Sequence, residues 1–480
     1  MKFTDIPSLD MAPGRLTVWR VTTSGTGWAA DPRPASHVQE AHLTYALESA
    51  GEGPLAPSWL GIAFDLPAGL DRDAFAAALR GWTDRHESLR SRLLTTPDGE
   101  LRRETLPPGA VEAVASEYGD FADGGQLARR TEELFDVEAG PLGWPGYVCA
   151  TVSRPDATTV LLAADHSLMD GYSVFMVAHE LHTLYEAALR APEPEGPPLP
   201  PTASYLDFAA EERAFGDALT ADDDAIVTWR GFLTGTGGRL PEFPVVVNDV
   251  SGTPGDQPGG YAVLLDASAT QALTKVCRAA QGDVFAGILA CLARVGHEIT
   301  GEREFRTMAP FHTRTDAYRS ALGWYVGMAP IGFAMSDPDD FEDTVRAATA
   351  GLEGVKELAR VPFSRAMELL GESLRDPFMI SYMDLRLTPG ARAWNDRRTV
   401  TLRGRSADPD EVCLWIMRTH DGLSVSYRHP ATGPAGIAVP HYVDRVRELL
   451  AAVAATGRWP DADDSTAGGE GDEERVVRAL

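Results

Sequence analysis

Seven consecutive residues of this 480-residue chain, Asp165-His166-Ser167-Leu168-Met169-Asp170-Gly171, hold its clearest chemical potential. A neutral imidazole accepts a proton from a hydroxyl or an ammonium group near neutral pH. Gly171 lets backbone or ligand approach closely, and a helix opening there offers N–H groups to an oxyanion. His166 and Gly171 together therefore suit acyl transfer. The same residues have plainer readings. A histidine after a strand is commonly a satisfied loop residue, and Asp170-Gly171 before a helix can be only an N-cap. Asp165, His166 and Asp170 could also contribute to a metal site, but no second ligand cluster stands near them, so no metal is expected. Gly171-Tyr172-Ser173-Val174-Phe175 departs from the G-x-S-x-G nucleophile elbow at its last position. That disfavours a covalent serine mechanism, and the lack of a phosphate-binding glycine loop gives no sign of a resident cofactor.

Such a loop is useful only where a strand and a helix present it at a crevice. The pattern predicts a buried strand over 158–164 and a helix over 173–189, with an earlier strand over 59–65 and a helix over 71–86 opened by an Asp cap. A proline-rich run, Ala191 to Pro201, separates this part from the rest. Beyond it we expect a core helix over 283–300 closing at Gly301, and strands over 324–333, 378–383, 412–417 and 423–427, with Asp421-Gly422 marking a hairpin. Strands and helices alternate in both halves, so the expected class is α/β. The division predicted is an N-terminal lobe over 1–190, a connection over 191–204, a C-terminal lobe over 205–460 and an acidic disordered tail over 461–480. The last core helix, marked by Val443, Val446, Leu449, Leu450 and Val453, should be complete before Gly457.

A formal charge of −27 argues against nucleic acid and anionic membranes as partners, since both draw on clustered Lys and Arg. Cys149, Cys277, Cys291 and Cys413 are scattered without a C-x-x-C pair, which suits buried thiols in a reducing cytoplasm. The N-terminus lacks the apolar core of a signal peptide, and no run is long enough for a membrane span; a cytoplasmic location is expected.

Asp165 to Gly171 resembles the H-H-x-x-x-D-G signature of nonribosomal peptide synthetase condensation domains and related acyltransferases, with Asp165 in place of the first His. Arg85-His86-Glu87-Ser88-Leu89-Arg90 is similar to that family's R-H-E-x-L-R helix end. Phe311-His312-Thr313-Arg314-Thr315-Asp316 and Gly323-Trp324-Tyr325-Val326-Gly327-Met328-Ala329-Pro330 resemble its arginine loop and the G-x-x-x-x-x-x-P strand that follows. The likeness covers residues 36–455 and is nearest to the stand-alone polyketide-synthase-associated acyltransferases.

The resemblance implies a two-lobed, chloramphenicol-acetyltransferase-like fold with a tunnel between the lobes. His166 would face the tunnel as base or as positioner of the nucleophile, and Asp170 would pair with Arg314 in a structural role. Ser381, Tyr382 and Asp384 occupy a segment that lines the tunnel in relatives, although packing accounts for them equally well. Asp165, if close, would raise the pKa of His166. The implied donor is a thioester on an acyl carrier protein, a peptidyl carrier protein or CoA, and the acceptor is a small alcohol or amine. Because carrier proteins are commonly acidic, a local basic patch would be needed; Arg85, Arg90, Arg92, Arg102 and Arg103 are candidates, with a solvated surface as their default reading. The alternative is a catalytically inactive module that recruits carrier proteins or partner enzymes. Epimerisation of a carrier-bound aminoacyl group would need a further carboxylate, for which no motif is seen.

Overall fold

The structure, a computed structural model, describes residues 1–50, 55–96, 98–190, 198–247 and 255–460. The tail expected over 461–480 and the first half of the proline-rich connection lie outside the described residues.

The strand that leads to His166, Ala157–Asp165, lies antiparallel between Trp59–Pro67 and Tyr147–Ser153 in a seven-stranded sheet. Phe3–Thr4, Val400–Arg403, Gly14–Thr22 and Glu112–Phe121 complete that sheet. Successive side chains of a strand point to opposite faces. Val160, Leu162 and Ala164 accordingly join a core with the helices Arg72–Arg85 and Gly171–Arg190, while Leu161 and Ala163 join another with Gly124–Glu138. Burial on both faces explains the unbroken apolar run of this strand.

The second sheet has six strands in the order Gly259–Asp266, Gly422–Arg428, Val412–Thr419, Phe378–Asp384, Glu304–His312, Val326–Ala334. Val412, Leu414 and Ile416 face a large core shared with Val284–Thr300 and Gly433–Thr456. Met383 and Met417 turn the other way, onto Phe175 and Phe3 of the first lobe, and Trp415 meets Phe3 edge-on with centroids 5.0 Å apart. This second face is where the lobes meet.

Helix starts follow their local chemistry. Asp71 accepts from the N–H of Ala74 and Asp283 from that of Ala286, both at 2.9 Å, each satisfying a donor that the helix leaves orphaned. Gly301 at φ 74° closes Val284–Thr300, and Gly457 at φ 77° closes Gly433–Thr456, whose Val443, Val446, Leu449, Leu450 and Val453 are buried as expected.

Three expectations shift. The strand predicted from 324 begins at Val326, leaving Trp324 in the preceding loop. The hairpin turns at His420-Asp421, because Thr419 pairs with Gly422. Gly422 opens the returning strand, at a φ of 133° and so close to Leu265 that a Cβ would lie 2.1 Å from its carbonyl oxygen. The lobes are also not divided along the chain alone. Val400–Arg403, from far into the second half, pairs with Trp59–Pro67 and Phe3–Thr4 in the first sheet. A four-residue strand, Val-Thr-Leu-Arg, carries no mark of the sheet it will join.

Among the described residues no single helix is long and apolar enough to cross a membrane. All four cysteines are buried and unpaired.

Candidate active site

The loop between Ala157–Asp165 and Gly171–Arg190 is pinned through its backbone. The N–H groups of Asp165, His166, Leu168 and Asp170 donate at 2.9 Å to the carbonyls of Gly146, Ser58, Asp165 and Gly323 respectively. Gln39 donates to the carbonyl of Ser167 at 2.8 Å, and Met169 is buried in the core below. With its backbone bonds made, the loop holds the His166 side chain at the junction of the lobes without large freedom.

His166 is half-buried, and its ring stacks on Trp324 with centroids 3.9 Å apart and planes 28° from parallel. Its Nδ1 is sealed from solvent without a hydrogen-bond partner. Nε2, which also has no partner among the described residues, keeps solvent contact. Burial first, and the neighbouring His42 ring second, push the imidazole down to about 4, so it is neutral and ready to accept a proton at physiological pH. Asp165 does act in the expected upward direction, but the net shift is downward. Asp165 and Asp170 pull upward, but more weakly than the two opposing causes.

The fully buried Asp165 carboxylate has its own partners. It accepts from the N–H of Ser167 at 2.8 Å, from the Ser58 hydroxyl, and from His42 Nε2 at 3.4 Å. Burial works against its ionisation, and the bonds from His42, Ser167 and Ser58 outweigh it to hold the carboxyl below its usual range. His42, on helix His37–Ala50, stands edge-on to Trp324 at 5.3 Å and 6.4 Å from the His166 ring. The site therefore holds two imidazoles around one indole.

Asp170 turns away from His166. One carboxylate oxygen accepts from Arg314 at 3.0 Å and from the N–H of Ser173 at 2.7 Å, and the other accepts from the N–H of Tyr325 at 3.0 Å. The pair is almost completely enclosed, with 6% of the Arg314 side chain and 1% of the Asp170 side chain exposed. Arg314 also donates to Ser173 Oγ at 2.5 Å and lies over the rings of Tyr325 and Tyr172, 4.1 and 5.0 Å from their centroids. These contacts tie the start of helix Gly171–Arg190 to the loop between the second lobe's strands Glu304–His312 and Val326–Ala334. Gly171 itself faces Met383, whose Sδ would sit 3.7 Å from an added Cβ. Asp165 and Asp170 are thus engaged by separate partners, and among the described residues no His, Cys, Asp and Glu cluster is arranged to hold a metal.

Of the three tunnel-lining candidates, Ser381 lies on the face of its strand that carries Met383 and meets the first lobe. Tyr382 does not line that face. It stacks on Phe285 at 5.1 Å, 8° from parallel, against the second lobe's core. Asp384, two residues on and so on the same face as Tyr382, is held by Arg386 at 2.6 Å. The basic patch does not form either: Arg90 and Arg103 are buried, Arg85 donates to buried Glu180 at 2.9 Å, and Arg92 pairs with Glu104 at 2.5 Å. Only Arg102 of the five is exposed. Strand alternation turns Arg102 and Arg103 to opposite faces, while Arg85 and Arg90, in helical segments, are taken up by Glu180 and the Leu106 carbonyl.

Two sheets joined across a histidine-bearing loop, with an Asp–Arg lock between lobes, define a two-lobed acyltransferase of the chloramphenicol acetyltransferase type. The Condensation domain family matches residues 33–377, and the chain belongs to it. It is similar to acyltransferase PapA3 of Mycobacterium tuberculosis, 26% identical over 88% of this chain and 90% of that protein. It also resembles the trehalose-2-sulfate acyltransferase PapA2 of the same organism, 24% identical over 91% of this chain and 94% of that one. Among solved structures, a PapA2 acyl transferase superposes with a TM-score of 0.86 at 23% identity, covering 95% of this chain and all of that one. The first condensation domain of the calcium-dependent antibiotic synthetase superposes with a TM-score of 0.68 at 19% identity, over 89% of this chain and 99% of that domain. The chain is an acyltransferase.

Proposed function

We propose that this enzyme moves an acyl group from a thioester, on a carrier protein or CoA, to a hydroxyl or amine of a small acceptor in lipid or natural-product assembly. The observation that carries the reading is the single open nitrogen of His166, a neutral imidazole held against Trp324 at the lobe junction. In the reaction His166 Nε2 takes the acceptor's proton as its oxygen or nitrogen bonds to the thioester carbonyl carbon. The N–H of Gly171 meets the resulting oxyanion. Collapse breaks the C–S bond, and the imidazolium returns the proton to the departing thiolate. Donor and acceptor would enter a tunnel between the lobes from opposite ends, and the phosphopantetheine or CoA comes with the donor. PapA2, one of the relatives above, is named for acylation of trehalose 2-sulfate, which favours a sugar hydroxyl as the acceptor.

The test is turnover of a panel of acyl thioesters and acceptors by wild type and His166→Ala, read by mass spectrometry. General-base loss predicts a fall of about 10²–10⁴-fold with an unchanged melting temperature. Near-wild-type rates at saturating substrate would remove His166 from the mechanism.

A further inference from the structure

Four arginines are buried among the described residues: Arg90, Arg103, Arg403 and Arg418. Three have acceptors. Arg90 donates to the carbonyl of Leu106, Arg103 to Ser91 Oγ at 3.0 Å and Gln39 Oε1 at 3.1 Å, and Arg418 to Thr274 Oγ1 at 3.0 Å. Arg403, only 5% exposed, has no hydrogen bond and no carboxylate partner among the described residues, and its Nε is sealed off unsatisfied. Burying a cation without a partner is costly, and folds rarely keep one for packing alone.

Its surroundings are built around the guanidinium. Arg403 and Arg428 both lie over Trp415, 5.9 and 5.5 Å from the ring centroid. Arg428 is taken up by Glu411. Gly259 leaves the space: a Cβ there would stand 2.4 Å from Arg403 Nη2. The charged groups acting on Arg403 are thus Arg428 against it, and Asp5 and Glu411 in its favour. Burial, and then Arg428, bring it down to about 10, which leaves it cationic at neutral pH.

Strand register relates this cation to the reacting centre. Arg403 pairs with Leu60, and Leu60 pairs with Ala164, so the three share one face of the sheet. His166 follows two residues beyond Ala164. Strand and residue spacings place the Arg403 and His166 backbones roughly 12 Å apart. That is the span of a substituted disaccharide and shorter than an extended phosphopantetheine arm.

We propose that Arg403, with Arg428 beside it, forms an anion subsite at the lobe junction that binds a sulfate or phosphate ester on the acceptor. The inference deepens the acyl-transfer reading and rests on it for the word acceptor; the anion site itself does not. Arg403 is a specificity-determining residue, engaging a tetrahedral oxyanion while His166 acts on a hydroxyl of the same molecule.

Calorimetric titration of the full chain with inorganic sulfate tests the site, and kcat/KM for trehalose 2-sulfate against trehalose, with one acyl-CoA, tests its use. In Arg403→Gln, sulfate affinity and the sulfated-to-unsulfated preference should each fall about 10–100-fold, as expected for lost charged hydrogen bonds. The melting temperature should hold or rise, since the substitution removes an unpaired buried charge; a structural arginine would lower it. Gly259→Ala, which crowds Nη2, gives the same loss by a second route. His166→Ala should bind sulfate as wild type does. Equal sulfate binding in wild type and Arg403→Gln, or none in wild type, overturns the site. A change confined to the KM of the CoA donor assigns the anion to the donor phosphate and overturns the acceptor role. If sulfate binding depends on Arg403 but no acceptor is ever acylated, the subsite stands and the acyl-transfer reading falls.

Discussion

His42 reaches Asp165 from 123 residues earlier in the chain, and that contact changes what His166 can do. The titratable groups facing His166 are His42, Asp165 and Asp170; the first lowers its pKa and the other two raise it more weakly. The base must be neutral to act, so kcat/KM falls as pH drops through that pKa. His42→Gln keeps a hydrogen-bond donor for Asp165 but removes the second cause of the depression. The acid limb of the kcat/KM profile should move to higher pH by on the order of one unit, still below an unperturbed histidine because burial remains. An acid limb that stays in place would mean the two imidazoles are not coupled. Nothing local in the sequence marks His42, whose importance arises from a long-range contact. Trp324 lay within a motif already singled out, yet its role was hidden because the apolar pattern reads it as the first residue of a strand.

At the scale of elements, helix Gly171–Arg190 is fastened at its start by Asp170 and along its length by Glu180. Glu180 accepts from Arg85 at 2.9 Å and Trp82 at 3.2 Å and contacts His86 Nε2 at 2.7 Å. The R-H-E-S-L-R segment is therefore a buried brace for this helix. We predict that Asp170→Asn and Arg314→Gln each cost on the order of 3–5 kcal/mol, because either leaves an enclosed group without its partner. Activity should fall with stability. Chemical denaturation of both single variants and the double variant should show strong coupling; strict additivity would exclude a direct interaction. Helices were the most legible elements, since Asp71, Asp283, Gly301 and Gly457 announce ends through local hydrogen bonding and backbone conformation. The pairing of Asp170 with Arg314 was legible only through resemblance. Which face Tyr382 or Arg103 would take depends on strand register, and that is settled by contacts far along the chain.

For the whole molecule, the lobes meet across a seam where Met383, Trp415 and Met417 pack against Phe175 and Phe3, beside the Asp170–Arg314 pair. The crossing of Val400–Arg403 into the first sheet ties the two lobes through backbone hydrogen bonds. Residues 1–190 expressed alone should therefore not form a cooperative unit, and should show a broad melt or aggregate where the full chain melts sharply. A soluble fragment with a sharp transition would contradict this. The same crossing bears on birth at the ribosome. Trp59–Pro67 emerges early, but the neighbour that covers its edge is made more than 330 residues later. At about 5–20 residues per second, that apolar edge stays open for roughly tens of seconds. A nascent chain of this kind is a natural client for a chaperone that shields strand edges, and its yield in a cell should follow that protection more closely than the stability of the finished protein.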